Sequence, residues 1–424
     1  MRTMKNSGVE WIGAIPEDWD VGRTKNYYSN HKNIVGEQAD NYERLALTLN
    51  GVIKRSKEDS NGLQPEAFNG YQILKENELV FKLIDLENIA TSRVGLSPYT
   101  GIVSPAYIIL KGDELTNMRY GEYFFLSMWQ RAIFNQMGDD GVRSSLNASD
   151  LLNIPYIFPT PEEQKSISEY LDGRCVYIDN IIEKTKQSIE EYRNLRQTVI
   201  TQAVLKGVRG DRSTRASGIE WIGEIPEEWE TFRVASLYEE RKENGNEELP
   251  ILTVSINTGV SDRELSDEES ERAFVRSEDR SKYMRVYPGD LTYNIMRAWQ
   301  GAFGAVRVDG MVSPAYVIVK PRREIDSRYM EALLRTQPAK EEMKRYSHGI
   351  ADFRLRLYWD KFRTIKVCFP PIEEQREIAD YIDQKCAEID TLIAKKEQFL
   401  TELENYKKSM IYEYVTGKKE VPHS

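Results

Sequence analysis

Residue types that carry catalysis are scarce in this 424-residue sequence. The three histidines, the usual acid–base groups near neutral pH, are His31, His348 and His423. The three cysteines are Cys175, Cys368 and Cys386, and each falls in an apolar stretch where a thiol packs as a small hydrophobic side chain. The sequence also lacks a glycine-rich phosphate loop. We therefore predict no catalytic residue, no metal site and no cofactor bound by this chain.

Side chains suited to reading DNA occur instead in two pairs of polar segments. Arginine pairs with guanine, asparagine and glutamine pair with adenine, and lysine or serine can contact phosphate. The candidates in the first half are Lys82, Asn88, Ser92, Arg93, Arg143, Ser144 and Asn147. Those in the second half are Asn294, Arg297, Trp299, Gln300, Arg354, Arg356 and Tyr358. Two alternatives stay open: Trp299 could be a core residue, and Arg143 and Arg354 could make a structural hydrogen bond in each half.

The composition permits DNA binding without indicating it. The chain carries 58 basic and 68 acidic residues, a net charge of −10, which by itself argues against a nucleic-acid partner. Hydrophobic residues make up 40% and charged residues 30%, as in ordinary globular proteins. The sequence has no apolar run of the ~20 residues that span a bilayer, and Met1–Glu10 lacks the apolar stretch typical of a signal peptide. Because the cysteines are too few for a disulfide framework, we expect a cytoplasmic protein.

Three motifs occur twice, in the same order, at offsets of 210, 209 and 211 residues. The first is SGVEWIGAIPEDW at Ser7–Trp19 and SGIEWIGEIPEEW at Ser217–Trp229. The second is GIVSPAYIIL at Gly101–Leu110 and GMVSPAYVIV at Gly310–Val319. The third is FPTPEEQ at Phe158–Gln164 and FPPIEEQ at Phe369–Gln375. The residues between these motifs differ widely, which indicates one scaffold used twice with a variable part mounted on it.

A long segment without proline follows each FPxxEEQ motif. Its apolar residues recur at spacings of three and four, which is typical of the seam of a coiled coil. The predicted seam residues are Leu171, Ile178, Ile182, Ile189, Ile382, Ile389, Ile393 and Leu400. We predict that the two helices pack on each other, antiparallel if the repeat follows a pseudo-twofold axis. The alternative is two separate amphipathic helices, each lying on its own globular domain.

The regions between the motifs read as mixed strand and helix. Short β-rich runs are predicted at Glu78–Ile84, Val103–Leu110, Leu249–Ile256 and Val312–Val319. Helical stretches are predicted at Tyr120–Gln136 and Ser327–Tyr346. The predicted fold class is therefore mixed α/β, with two globular domains and two long helices in an internal repeat. The predicted boundaries are 1–160 and 209–370 for the globular domains, 161–208 and 371–418 for the helices, and 419–424 for a tail.

Two domains at opposite ends of such a helix pair would lie tens of Å apart. Major-groove faces of B-DNA recur every ~34 Å, so this spacing suits two half-sites separated by an unread spacer. The same geometry fits any bivalent ligand equally well.

In combination, these motifs resemble the specificity (S) subunits of type I restriction–modification systems. The resemblance rests on WIGxIPxxW, GxVSPAY and FPxxEEQ in order, twice, and on the closing YVTGK at Tyr414–Lys418. The ends of the two helices differ, with VLKG at Val204–Gly207 against VTGK at Val415–Lys418, so the contacts of the first helix end are expected to differ slightly.

The resemblance implies two target recognition domains, each reading one half of a bipartite double-stranded DNA target. It implies that the helices set the spacer and dock two modification (methyltransferase) and two restriction subunits. S-adenosylmethionine, ATP and magnesium are then expected on those partners. The subunit itself would be non-catalytic. Two other interpretations are a coiled-coil scaffold that bridges two protein partners without reading DNA, and the specificity subunit of a type II-like methyltransferase–nuclease.

Overall fold

The computed structural model describes residues 2–59, 67–86, 92–137, 145–246, 248–266, 280–349 and 355–422. The chain divides into two compact units. Unit 1 comprises residues 1–186 and 398–424, and unit 2 comprises residues 187–397. Among the described residues, no helix carries an apolar run long enough to cross a membrane.

In its described residues, unit 1 is built from short strands and three short α-helices. The strands are β1 Met4–Asn6, β2 Ala14–Pro16, β3 Asp20–Arg23, β4 Tyr28–Asn30, β5 Arg44–Thr48, β6 Gly51–Arg55, β7 Gln72–Leu74, β8 Leu79–Phe81, β9 Val94–Leu96, β10 Gly101–Val103, β11 Ile108–Gly112 and β12 Pro155–Phe158. The short helices are α1 Met118–Gln130, α2 Ile133–Met137 and α3 Ala148–Asn153. One sheet has the order β4-β11-β8-β9 and another the order β6-β5-β10-β7, while β1 pairs with β2 and β12 with β3.

The long helix α4, Pro161–Lys206, follows β12 and contributes residues to both units. It begins at a proline with two glutamates in its first turn, where the helix dipole favours negative charge. It ends before Gly207, which has a φ of 77°. Glycine adopts this left-handed conformation without strain, so it terminates the helix.

Unit 2 follows a similar plan. Its strands are β13 Thr214–Ala216, β14 Glu224–Pro226, β15 Glu230–Arg233, β16 Tyr238–Glu240, β17 Val254–Ser255, β18 Gly259–Val260, β19 Met284–Val286, β20 Leu291–Asn294, β21 Phe303–Ala305, β22 Gly310–Val312, β23 Tyr316–Pro321 and β24 Lys366–Phe369. Its short helices are α5 Val234–Leu237, α6 Ser327–Leu334, α7 Gln337–Tyr346 and α8 Trp359–Phe362. The main sheet has the order β16-β23-β20-β21, and β15 pairs with β24. The second long helix, α9, spans Ile372–Val415 and also contributes to both units.

The mixed α/β class is confirmed, but several predicted elements are divided. Each GxVSPAY motif was predicted to be one strand and instead contains a turn between two strands. In unit 1 the Tyr107 amide donates to the Ser104 carbonyl (3.1 Å), and the Tyr316 amide repeats this bond to Ser313 (3.0 Å). The apolar run thus belongs to two strands, separated by a proline turn that the hydrophobic pattern hides.

The predicted helices 120–136 and 327–346 are each two helices. Ala132, at a φ of 55°, separates α1 from α2. Thr336 separates α6 from α7, because its side chain caps the second helix by accepting a hydrogen bond from the Ala339 amide (3.4 Å). The strand predicted at 249–256 is reduced to the two residues of β17 and a bridge from Ile251 to Met311.

Within each unit, parts of α4 and α9 lie antiparallel. In unit 1 the Tyr414 hydroxyl donates to the Tyr170 hydroxyl (3.1 Å), and Lys407 Nζ lies 2.6 Å from Asp179. In unit 2 the Lys396 ammonium lies 5.6 Å from the centre of the Tyr192 ring, and Arg196 pairs with Asp390 at 3.0 Å. In both units the contacting residue on α9 moves backwards as the residue on α4 moves forwards.

The predicted seam residues are all buried or half-buried. Leu171, Ile178, Ile189, Ile382 and Ile389 are buried. Ile182, Ile393 and Leu400 are half-buried. Each unit also buries one end of each helix in its main apolar core: Leu171 and Val415 belong to the core of unit 1, and Val204 and Ile378 to that of unit 2.

Candidate nucleic-acid interface

The best-described candidate surface is a loop of unit 2 that follows β20. Asn294 ends the strand, and its side-chain oxygen accepts a hydrogen bond from the Met296 amide (2.9 Å). The Trp299 indole donates to the Met296 carbonyl (3.1 Å), and the Ala302 amide donates to the Arg297 carbonyl (3.1 Å). These bonds fold residues 294–302 into a compact loop with a defined shape.

A second predicted segment lies directly beside this loop. The Leu357 amide donates to the Ile295 carbonyl (2.9 Å). Arg356 and His348 form an antiparallel bridge through two backbone bonds of 3.0 Å each. Two candidate regions about 60 residues apart are therefore joined by backbone hydrogen bonds, and they bring Arg297, Arg356 and Tyr358 into one region.

The side chains of this region are basic and aromatic. Arg356 and Tyr358 are exposed, and Arg297, Trp299 and Gln300 are half-buried. The Lys344 ammonium lies 5.4 Å from the centre of the Trp299 ring, so the indole lies between core and surface with a cation over it. Lys344 was not predicted, since it lies in a helix whose charge pattern is that of any solvated face.

Unit 1 repeats the arrangement. The Leu146 amide donates to the Leu83 carbonyl (2.9 Å), and Ile84 forms a bridge with Ser145. Lys82 is half-buried beside this bridge, and burial together with the nearby Arg93 guanidinium lowers the pKa of its ammonium. Asn147 is exposed and caps α3, accepting hydrogen bonds from the Ser149 (2.8 Å) and Asp150 (3.1 Å) amides.

Three candidate residues lie in the interior, which differs from the exposed position expected for a base-reading side chain. Arg93 is fully buried and donates to the carbonyls of Ile84 (3.3 Å) and Asp85. Ser92 is buried and donates to the Val94 carbonyl (2.6 Å). Asn294 is buried and holds the loop described above. These contacts assign all three to the support of the loops. Four further candidates, Asn88, Arg143, Ser144 and Arg354, lie outside the described residues.

The repeated WIGxIPxxW motifs make matching contacts with the first turns of the long helices. The Trp19 indole of the first WIGxIPxxW motif donates to Glu163 Oε2 of FPxxEEQ (3.1 Å). The Trp229 indole makes the same bond to Glu374 (3.0 Å). An arginine adds charge in both cases, Arg2 with Glu163 and Arg212 with Glu374.

The glutamine of FPxxEEQ joins two backbone groups. Gln164 donates to the Pro159 carbonyl (2.9 Å) and accepts from the amide of Asn117, the N-cap of α1 (2.8 Å). Gln375 donates to the Pro370 carbonyl (2.8 Å) and accepts from the amide of Asp326, the N-cap of α6 (3.1 Å). The motif was recognised from its repetition, but these partners were not predicted.

The short helix whose N-cap amide binds each glutamine also donates a hydrogen bond to the end of a long helix. The Tyr120 hydroxyl donates to the carbonyl of Val415, the last residue of α9 (2.9 Å). The Tyr329 hydroxyl donates to the Val204 carbonyl near the end of α4 (3.2 Å). Each unit therefore binds the start of one long helix and the end of the other.

The differing helix ends reach matching carbonyls. Lys206, the last residue of α4, donates to the Glu224 carbonyl (2.8 Å). Lys418, three residues beyond α9, donates to the Ala14 carbonyl (3.0 Å), which is the matching position of the first motif. The exchange of lysine and glycine between VLKG and VTGK thus leaves this bond in place.

Among the described residues, the cysteines and histidines do not form a cluster. All three cysteines are buried, and burial raises the pKa of the Cys368 thiol to about 12. His31 and His348 are exposed, and His423 lies outside the described residues. Within the described parts of the chain, no group of three or more histidine, cysteine or acidic side chains could hold a metal ion.

Comparisons with known proteins give the same family resemblance as the repeated motifs. No family model matches the chain. A putative type I restriction enzyme MjaX specificity subunit from Methanocaldococcus jannaschii is 25% identical over 439 residues, covering 96% of this chain and 95% of the relative. The type I restriction enzyme MjaVIII specificity subunit from the same organism is 24% identical, covering 95% and 93%.

Solved structures share the fold. A chain of a type I restriction–modification complex has a TM-score of 0.68 at 11% identity, covering 96% of this chain and 99% of that chain. The HsdS subunit from Thermoanaerobacter tengcongensis has a TM-score of 0.53 at 12% identity, covering 96% and 98%. Both named relatives are specificity subunits of type I restriction enzymes. Along its whole length the chain is similar in sequence to type I restriction enzyme specificity subunits, and it shares the fold of solved chains from such systems, which confirms the resemblance indicated by the repeated motifs.

Proposed function

We propose that this chain is the DNA sequence-specificity subunit of a type I restriction–modification complex. Each globular domain reads one half of a bipartite double-stranded target. The proposal rests above all on one observation: in each unit, two polar segments far apart in sequence are bonded side by side at matching positions of the repeat. Exposed or half-buried side chains suited to bases and phosphates are present there, among them Lys82, Arg297 and Arg356.

The two long helices are proposed to form an antiparallel coiled coil that sets the spacer between the half-sites. Support comes from the seam residues, from the antiparallel contacts within each unit, and from helix lengths of 46 and 44 residues. At ~1.5 Å per residue each helix is about 65 Å long. This length accommodates one or two turns of DNA between the half-sites, at ~34 Å per turn.

The same helices are proposed to dock two methyltransferase subunits and, in a restricting complex, two restriction subunits. S-adenosylmethionine, ATP and magnesium would then act on those partners. The acidic balance of the chain is compatible with this arrangement, because partner subunits can supply the remaining phosphate neutralisation. A cytoplasmic location is part of the same proposal, since the substrate is cellular or invading DNA.

Methylome mapping of a host that carries the chain together with its methyltransferase subunit tests the proposal. The expected result is a gapped motif that is methylated with the chain present and unmethylated after its deletion. An exchange of residues 20–158 for another such domain should change one half of the motif and leave the other half and the gap unchanged. A change in both halves, or binding of the methyltransferase without any sequence preference, would overturn the proposal and favour a protein-bridging scaffold.

A further inference from the structure

We propose that Met296 and Ile84 read thymine through its methyl group, each in one half of the target. The inference rests on the proposed function and adds an apolar contact to the polar candidates. It is carried by Met296, and Ile84 is its counterpart in unit 1.

The two residues occupy the same place in their domains. Tyr293 of β20 pairs with Val317 of β23, and Phe81 of β8 pairs with Ile108 of β11. Val317 and Ile108 are matching residues of the GxVSPAY motif, and Met296 and Ile84 each lie three residues after the paired aromatic residue. The repeat therefore aligns these two positions, although the sequences around them differ.

Both side chains are exposed, whereas the apolar residue directly before each of them is covered. Met296 is 48% exposed and Ile84 is 40% exposed. The preceding residue is Leu83 in unit 1, which is 1% exposed, and Ile295 in unit 2, which packs against the core. A single exposed aliphatic residue is ordinary on a protein surface. The same feature at one matching position of both candidate interfaces indicates a partner with a small apolar group.

The charges around Met296 favour DNA as that partner. The described segments 294–301, 344–349 and 355–358 contain Arg297, Lys344 and Arg356 and no acidic residue. Arg345 also lies in these segments, but it pairs with Glu220 and Glu342 and is not part of this set. Cations beside an exposed aliphatic side chain match a groove edge, where phosphates flank the bases. The thymine methyl is the apolar group that the major groove displays.

The test uses the full chain assembled with its methyltransferase subunits and a random duplex library. Selection with the parent protein should yield a gapped target. Met296→Ala should lose the preference for thymine at one position of one half, and Ile84→Ala should do so in the other half. Leu115→Ala removes an aliphatic side chain that is 60% exposed in a loop of unit 1, and it should leave the target unchanged.

Uracil then isolates the methyl group. Replacing that thymine by uracil should weaken binding of the parent about fourfold, the value of one buried methyl, and should not weaken binding of Met296→Ala further. Variants that select the parent's target, or a uracil effect that is equal in parent and variant, would overturn this inference alone. Failure of the parent to select any sequence would instead overturn the proposed function.

Discussion

Units 1 and 2 make the same hydrogen bond between a tryptophan and a glutamate, but the glutamate is exposed to a different extent in each unit. Glu163 accepts from the Trp19 indole with 29% of its side chain exposed, whereas Glu374 accepts from the Trp229 indole with none exposed. The repeated motif therefore preserves the hydrogen bond while the environment of its charge varies. The two units therefore share the partners of this hydrogen bond and its direction. The burial of the glutamate, and with it the expected strength of the contact, differs between them.

The interiors of the globular domains differ further. In unit 1 the hydroxyls of Tyr28 and Tyr156 are hydrogen-bonded at 2.9 Å in the core. In unit 2, Tyr238 matches Tyr28, but its partner position holds Val367, and the buried Tyr238 hydroxyl has no hydrogen-bond partner among the described residues. The core of unit 2 thus contains the matching aromatic ring but not the pair of hydrogen-bonded hydroxyls found in unit 1.

The largest expected effect tests what the two units share. Trp19→Ala and Trp229→Ala should each lower the free energy of unfolding by about 3–5 kcal/mol, because each removes a fully buried indole from a core that cannot close around the gap. Chemical unfolding of the full chain measures both. A loss below about 1 kcal/mol for either variant would show that the two motifs do not play equal roles.

The next prediction separates the units. Glu374→Ala should lower the free energy of unfolding by about 3 kcal/mol, because it leaves Arg212 and the Trp229 indole without their buried acceptor. Glu163→Ala should cost about 1 kcal/mol, since water reaches that site and screens the charges. The neighbouring exposed residues give matched controls, Glu162→Ala and Glu373→Ala, with expected changes within about 0.5 kcal/mol. Equal costs at 163 and 374 would contradict the role of burial.

Removing one buried tyrosine hydroxyl from each core should change the free energy of unfolding by a different amount in each unit. Tyr28→Phe should cost about 1–2 kcal/mol, because it leaves the Tyr156 hydroxyl buried without a partner. Tyr238→Phe should be neutral or slightly stabilising, because it removes a hydroxyl that is already unsatisfied. Thermal unfolding of both variants, each compared with the parent, decides this. A loss at 238 as large as that at 28 would reveal a partner for that hydroxyl.

The smallest effect concerns the two matching ion pairs of the long helices. Asp179→Asn and Asp390→Asn should each cost about 0.5 kcal/mol, since both carboxylates are more than half exposed. The losses should shrink as salt is raised from 0.05 to about 0.5 M, because screening weakens exposed pairs. Losses that do not depend on salt would mean that the pairs act through packing.

Most of the scaffold could be predicted from the sequence because its signals are local and occur twice. Proline, paired glutamates and a closing glycine mark the helix α4 directly, and the 3-4 spacing identifies its covered face. The turns inside GxVSPAY escaped prediction, since an apolar run with one proline resembles an edge strand.

The candidate interface was predictable only in part. Residue types indicated which segments could read DNA, but the pairing of Leu146 with Leu83 and of Leu357 with Ile295 is non-local, and no pattern in one sequence specifies it. For the same reason the burial of Arg93 could not be foreseen, because an arginine that binds carbonyls looks the same in sequence as one that binds guanine.

The glutamines of FPxxEEQ have an evolutionary consequence. Gln164 and Gln375 bind only main-chain groups of the domains they support, an amide and a carbonyl that every folded domain of this plan can offer. A replacement domain with other side chains at these positions would therefore keep this pair of bonds, whereas contacts such as that of Arg119 with Asp172 also require a side chain of the helix. Under the proposed function, a single exchange of a domain would bring a new half of the target, and the main-chain bonds of the glutamine would be retained.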